Sequence, residues 1–225
     1  AGTLMILAGN GTSLSANSSY SIASGAVLTL GGNSTVAGPA TAIIGSLAGA
    51  GTVQNGNATT VVTLTAGGNN ATTTFSGVLQ NGGAAALALT KNGTGTLSLS
   101  GNNTYNGTTT INAGTLAVSG NISSSALTIN SGGVVSAGST AAVTKFNAAS
   151  LTVNGGSGYA FTIGNISGGA AGTAGTDYDQ ITTSGAITFN NNLANPFTVY
   201  LNGTPTNWSS SGSYTWNILS GASIS

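Results

Sequence analysis

The chain has 225 residues, among them two lysines and two aspartates, and it contains no arginine, glutamate, histidine or cysteine. Charged residues make up 2% of the sequence and the net charge is zero, whereas an ordinary soluble domain is about one quarter charged. Acid–base, nucleophilic and metal chemistry mostly use the missing residue types, so the composition predicts no enzyme and no cofactor; it also excludes a basic nucleic-acid interface and a membrane span.

Short runs of alternating apolar and polar residues recur along the chain, each followed within a few residues by glycine or asparagine. Large apolar residues occupy one face of each run and threonine, serine or asparagine the other, which is typical of half-buried β-strands. The abundant glycine disfavours helices. In chain order the predicted strands are Val27–Leu30, Val61–Thr65, Leu87–Thr90, Thr96–Ser100, Thr108–Asn112, Thr115–Val118, Leu127–Ile129, Leu151–Val153, Phe161–Ile163, Ile187–Phe189 and Phe197–Leu201.

The regular return of this pattern predicts an all-β repeat architecture, a parallel β-helix in which each coil stacks on the one before. Identical polar residues in successive coils are then expected to stack as asparagine or threonine ladders. With about 20 to 25 residues per coil, residues 1–225 form a single solenoid domain of about nine to eleven coils. Residues 155–225 are expected to be rich in loops, including a protruding loop at Gly168–Gly175.

One segment, residues 91–120, has the sequence KNGTGTLSLSGNNTYNGTTTINAGTLAVSG. It resembles the passenger-associated strand repeat of bacterial autotransporters and of the large secreted proteins that share it. The positions that match are Lys91, Gly93, Gly95, Thr96, Leu97, Leu99, Ser100, Gly101, Asn103, Tyr105, Gly107, Thr109, Ile111, Gly114, Leu116 and Val118. The resemblance implies a right-handed parallel β-helix that is exported to the cell surface or beyond.

The matching positions have a structural interpretation and carry no chemistry. The apolar ones are expected to fill a narrow core: Leu97, Leu99, Ile111, Leu116 and Val118. Three glycines are expected to turn corners with a positive φ: Gly101, Gly107 and Gly114. Tyr105 is expected to pack against a corner or to seal a coil.

The few ionisable residues are the first candidates for a site. Asp177 and Asp179 would share one face of a strand, and they are the candidate ligands of a Ca²⁺ ion, with turn capping as the favoured alternative. Nothing in the sequence near the pair would raise either pKa, which argues against glycoside cleavage. Lys91 and Lys145 are interpreted as solvated surface lysines rather than as partners of a nucleophilic serine.

Aromatic residues near the C terminus are the remaining candidates for contact with a ligand. Trp208, Tyr214 and Trp216 could form a platform on which sugars stack, and the favoured alternative is that they cap the last coils or form a subunit joint.

The sequence therefore predicts a non-enzymatic structural protein, a subunit or segment of a surface fibre, sheath or matrix outside the bacterial cell. Its expected partners are copies of itself, joined end to end or side by side, and cell-surface glycans. The alternative is an adhesin of the autotransporter passenger type that binds glycans or cells through its loops and C-terminal aromatics; a polysaccharide-active enzyme ranks last.

Two further expectations follow. The first residues, Ala1 to Gly9, lack the basic segment of a signal peptide, so the sequence is expected to begin at a mature or excised end. Because ordinary aspartate and lysine side chains do not titrate between about pH 5 and 9, stability and assembly are expected to be insensitive to pH in that window and to salt.

Overall fold

A computed structural model describes residues 3–6, 14–31, 41–138, 143–164, 172–203 and 216–225. Within these ranges the regular structure consists of short β-strands and turns, without helices. The all-β class predicted from the sequence is therefore confirmed. A helix able to span a membrane is likewise not found in these ranges.

The strands are short, and most contain three to five residues. In the N-terminal half they are β1 (Thr3–Ile6), β2 (Ser19–Ile22), β3 (Val27–Leu30), β4 (Thr41–Ile44), β5 (Ser46–Gly49), β6 (Thr52–Asn55), β7 (Val62–Ala66), β8 (Thr73–Phe75), β9 (Val78–Gly82), β10 (Leu87–Lys91), β11 (Thr96–Leu99) and β12 (Thr109–Ile111). In the C-terminal half they are β13 (Gly114–Val118), β14 (Ile122–Ile129), β15 (Gly133–Ala137), β16 (Lys145–Asn154), β17 (Gly158–Thr162), β18 (Gln180–Thr183), β19 (Ala186–Asn190), β20 (Thr198–Asn202), β21 (Leu219–Ser220) and β22 (Ser223–Ile224).

These strands form three sheets in which paired strands run parallel. Sheet A has the order β1-β3-β6-β9, and sheet B has the order β2-β5-β8-β11-β13-β15-β17-β20. Sheet C has the order β4-β7-β10-β12-β14-β16-β18-β21, and β19 and β22 extend it beside β16. The chain passes through all three sheets up to β9 and between sheets B and C from β10 onward, and each return adds a strand beside an earlier one. The fold is therefore the predicted parallel β-helix.

The coils differ in length along the helix. On sheet A, Gln54 of β6 bonds to a threonine 25 residues earlier on β3. On sheet C, the stacked residues Asn112 and Asn130 are 18 residues apart, and Asn154 and Asn190 are 36 apart. The long interval contains β17, β18 and β19, and both β18 and β19 pair with the long strand β16 in sheet C. The predicted number of coils, about nine to eleven, stays a prediction.

The core lies between the sheets and runs along the helix axis. Phe75, Leu99, Val118 and Ala137 occupy matching positions of β8, β11, β13 and β15, and all four side chains are fully buried. Burial of apolar surface contributes about 25 cal/mol per Å². Stacking of similar side chains in every coil therefore stabilises the helix over its whole length, while the alternate threonine, serine and asparagine residues face outward.

Candidate functional site

The matching repeat segment folds as two coils of this core. Its apolar residues Leu97, Leu99, Ile111, Leu116 and Val118 are each at most 2% exposed. The prediction that they fill the interior is confirmed.

Three glycines of the repeat were predicted to have a positive φ, and only Gly114 has one, at 62°. The prediction is wrong for Gly101 and Gly107. Glycine is required at these two positions because a side chain would not fit. A Cβ atom on Gly101 would lie 1.9 Å from the carbonyl oxygen of Gly77, and one on Gly107 would lie 2.3 Å from that of Leu87. Neighbouring coils approach too closely at these points for any side chain.

Of the other glycines that match the repeat, one has a positive φ and one lies too close to the preceding coil for a side chain. Gly93 has a φ of 69°. Gly95 faces the preceding coil, where a Cβ atom would lie 2.4 Å from the carbonyl oxygens of Asn70 and Ala71. Both positions therefore exclude side chains for structural reasons.

Tyr105 seals its coil through a buried chain of hydroxyl groups. Its Oη lies 2.6 Å from Thr109 Oγ1, which lies 2.7 Å from Ser125 Oγ. Ser125 donates its only proton to the carbonyl oxygen of Gly107 at 2.7 Å, so Thr109 donates to Ser125 and Tyr105 donates to Thr109. Burial raises the pKa of Tyr105 to about 12. This row of hydroxyl groups joins two coils, as expected if Tyr105 seals its coil.

Asn103 is buried and also joins coils. Its Oδ1 accepts the main-chain N–H of Leu79 at 2.9 Å, and its Nδ2 donates to the carbonyl oxygens of Gly101 and Asn121 at 2.9 and 3.2 Å. One side chain thus binds main-chain groups of the coils before and after its own.

Lys91 is 1% exposed, so the interpretation of this residue as a solvated surface lysine is wrong. Its Nζ donates to the carbonyl oxygens of Asn92, Gly93 and Ala113 at 2.7, 2.8 and 3.2 Å. All three ammonium protons are used, and Ala113 belongs to the next coil. Burial lowers the pKa of the Lys91 amine to about 8. Lys145 is exposed, as predicted.

The two aspartates do not share a strand face, which corrects the prediction. Asp177 lies in a turn, and its Oδ2 accepts the main-chain N–H of Thr173 at 2.7 Å. Asp179 precedes β18 and is fully buried, where its two carboxylate oxygens accept the main-chain N–H groups of Thr144 and Thr162, each at 2.7 Å. Both carboxylates cap main-chain amides, which is the alternative that the sequence favoured over a Ca²⁺ site.

Burial raises the pKa of Asp179 to about 6. The expectation that nothing raises the pKa of either aspartate is therefore wrong, because the sequence does not show which carboxylate is desolvated. The expected insensitivity to pH assumed ordinary pKa values, and that assumption fails for both Asp179 and Lys91. In the ranges given above, no three histidine, cysteine, aspartate or glutamate side chains lie together as metal ligands.

Aromatic side chains form a cluster that includes Tyr159, which interacts electrostatically with Asp179. Phe161 packs against Tyr159, Tyr178 and Trp216, with ring centroids 5.9, 6.1 and 6.3 Å apart. Trp216 is half-buried against this cluster. Of the proposed aromatic platform, Trp208 and Tyr214 lie outside the described residues, as do residues 168–171 of the predicted loop.

The outer face of sheet C has a ladder of five asparagines, as the repeat pattern predicted. Every Nδ2 except that of the first member donates to the Oδ1 of the preceding asparagine of the ladder, at distances of 2.9, 2.8, 2.7 and 3.1 Å. The members are Asn92, Asn112, Asn130, Asn154 and Asn190.

Beside this ladder runs a column of half-buried threonines in matching register. Its members are Thr65, Thr90, Thr110, Thr128, Thr152 and Thr188. We call the two columns together the threonine–asparagine face. The repeat pattern predicted ladders but not their positions, and the sequence signal that locates them is the recurring Thr-x-Asn at the ends of strands of sheet C.

Comparison with known families supports the interpretation of the repeat. Residues 89–118 match the family model described as passenger-associated-transport-repeat. The match overlaps the segment 91–120, so the resemblance to an autotransporter passenger repeat is confirmed. Such a repeat implies a secreted or surface-exposed protein. Comparison with curated proteins gave no match.

Proposed function

We propose that this protein is a non-enzymatic structural component outside the bacterial cell, a β-solenoid subunit or segment of a surface fibre, sheath or matrix that assembles through stacked coils. The observation that carries the proposal is the outer edge of β20. This strand pairs with β17 on one side, and none of the described strands pairs with its other side. Open strand edges are templates for pairing with another chain.

The side chains of β20 also favour association. Val199, Tyr200 and Leu201 are 37%, 49% and 69% exposed. A further coil stacked on this edge would bury their apolar surface in addition to pairing the main chain. With a net charge of zero, no long-range repulsion opposes such stacking.

The ionisable residues support a structural rather than a catalytic role. Lys91 uses its three protons on carbonyl oxygens, and Asp177 and Asp179 bind main-chain amides. These contacts hold the coils and turns together and engage the very groups that acid–base catalysis would need.

Charge placed on the β20 edge tests the proposal. We expect the purified wild-type protein to form rods that lengthen with concentration, seen by negative-stain microscopy and sedimentation velocity. The double variant Tyr200→Lys/Leu201→Lys should remain short, because a coil stacked on this edge would bury the two lysine charges without partners of opposite charge. Leu193→Lys is the matched control, since Leu193 is fully exposed in a turn outside the strand. Short wild-type rods at high concentration, or normal rods of the double variant, would overturn the proposal.

A further inference from the structure

We infer that the threonine–asparagine face of sheet C binds a linear, uncharged polysaccharide laid along the helix axis, with about one sugar ring over each coil. This inference goes beyond the proposed structural role, and it concerns a different part of the surface from the β20 edge and from the C-terminal aromatics.

The asparagine ladder leaves a repeating set of unused hydrogen-bonding groups. An interior member such as Asn130 donates one N–H to Asn112 and accepts one from Asn154. A side-chain amide has two N–H groups and two oxygen lone pairs, so one donor and one acceptor remain on each interior asparagine. These groups face outward, because the alternate residues of the strand are buried.

The threonine column adds a hydroxyl group to each set. Thr110, Thr128 and Thr152 lie two residues before Asn112, Asn130 and Asn154, and their hydroxyl groups make no hydrogen bond within the described part of the chain. Each of these coils therefore presents one amide donor, one amide acceptor and one hydroxyl group on the same face. Neighbouring hydroxyl groups of a sugar, which both donate and accept, are the chemical complement of this set.

The spacing of the sets fits a polymer better than a single sugar. Adjacent strands lie about 4.8 Å apart, so the sets repeat at that distance along the axis. A sugar ring in an extended polysaccharide advances its chain by a similar distance. One chain can thus place successive rings over successive coils, and weak contacts add up by multivalency.

The lack of charge and the small area of the threonine–asparagine face favour a neutral polysaccharide over a charged polymer or a second copy of the protein. The face consists of threonine and asparagine alone, which gives an anionic or cationic polymer no counter-charge. Six strands and two columns span about 25 Å by 15 Å, so pairing with a second copy would bury about 750 Å² in total, below the range of stable protein interfaces. A neutral polysaccharide needs no larger area because it binds along a single row.

The test measures retention of the purified protein on insoluble cellulose and chitin and on immobilised linear mannan, with alginate as the charged comparison. We expect binding to at least one neutral polymer, unchanged in 1 M NaCl, and competition by oligosaccharides that strengthens up to about five rings. Thr128→Tyr should weaken binding about tenfold or more by lifting the chain off the face, and Thr152→Tyr should do the same.

Thr115→Tyr is the matched control, because Thr115 is an outward, half-buried threonine on a central strand of sheet B. Circular dichroism and thermal unfolding identify variants that remain folded. Absence of binding to every neutral polymer, or equal binding by the Thr128→Tyr and Thr115→Tyr proteins, would overturn the inference. Loss of self-association alone in Thr128→Tyr would also overturn it, in favour of a second copy as the occupant. The β20 variants test rod formation separately.

Discussion

At the scale of single residues, the most informative groups are the charged side chains that the fold buries. Asp179 and Lys91 are each surrounded by main-chain partners of the opposite polarity, two amides for the carboxylate and three carbonyl oxygens for the ammonium. Desolvation of a charge is costly even when it is hydrogen-bonded. Each residue thus joins neighbouring segments at a cost that depends on pH.

Replacing Asp179 tests its capping role. Asp179→Asn should lower the free energy of unfolding by about 1–3 kcal/mol, because an amide NH₂ group would face a main-chain N–H of Thr144 or Thr162. Urea unfolding measures the change. Asp177→Asn is the matched control and should cost less, since Asp177 is half-exposed and caps a single amide. Equal effects of the two substitutions would contradict the assignment.

The raised pKa of Asp179 predicts a specific pH dependence. Between the unfolded value of about 3.8 and the folded value of about 6, the folded state binds the proton more tightly. This group's contribution to stability is therefore fully present below pH 3.8 and is lost as the pH rises through about 6. The difference in unfolding free energy between wild type and Asp179→Asn should change across this window, and a constant difference would contradict burial of the charge.

The lowered pKa of Lys91 predicts the opposite pH dependence of stability, in alkaline solution. Its folded pKa of about 8 lies below the unfolded value of 10.5, so its contribution is fully present above pH 10.5 and is lost as the pH falls through about 8. Unfolding measured between pH 7 and 10.5 should show wild-type stability rising relative to Lys91→Met. A parallel pair of curves would show that the Lys91 amine is solvated.

At the scale of the element, the strands that were predicted have alternating apolar and polar side chains, whereas several short strands were missed. β2 (Ser19–Ile22) and β4 (Thr41–Ile44) had no predicted counterpart. Such short strands have little preference of their own, and pairing with β5 and β7 in register stabilises them. The neighbouring coil, and not the sequence of the strand itself, therefore determines where these strands form.

The presence of asparagine ladders was predictable from the sequence, but their positions were not. The repeat pattern indicated asparagine ladders, but members that bond to each other are separated by 20, 18, 24 and 36 residues, so no fixed period aligns them. Burial of Lys91 was equally hidden, because one of its carbonyl partners, on Ala113, comes from the next coil. Local sequence predicts the strand pattern, and the stacking of unequal coils determines which side chains meet.

The ladder should stabilise the solenoid in proportion to the bonds that each member makes. Asn130→Ala removes two ladder bonds and Asn190→Ala removes one. At about 1 kcal/mol for each bond, the interior substitution should cost about twice as much as the terminal one in urea unfolding. Equal and negligible costs would show that solvent replaces the ladder bonds without loss.

Two glycine positions test two different reasons for glycine: close packing between coils and a positive φ. Gly101→Ala would push a methyl group to within 1.9 Å of a carbonyl oxygen, so the coils must separate, at a cost of about 1–3 kcal/mol or more. Gly132 has a φ of 82°, and a Cβ atom there would lie 3.7 Å from the carbonyl oxygen of Asn112, an ordinary contact distance. Gly132→Asn should cost less than Gly101→Ala, because asparagine adopts a positive φ more readily than most residues and no atoms need to move apart. Thermal unfolding of both variants checks the contrast.

At the scale of the whole molecule, the low charge of the chain has a direct structural meaning. Any charged residue repeated in every coil would lie about 4.8 Å from its copies, and such a column would repel itself. Neutral threonine and asparagine columns avoid this repulsion, and they allow the same surface to continue from one stacked molecule to the next. The two lysines and two aspartates do not recur from coil to coil.

The most direct test of the account is fibre diffraction from oriented rods of the purified protein. If coils stack along the rod axis within and between molecules, a reflection near 4.8 Å should lie on the meridian, parallel to the rods, and 1 M NaCl should leave it unchanged. A 4.8 Å reflection perpendicular to the rod axis would contradict stacking of coils as the mode of assembly.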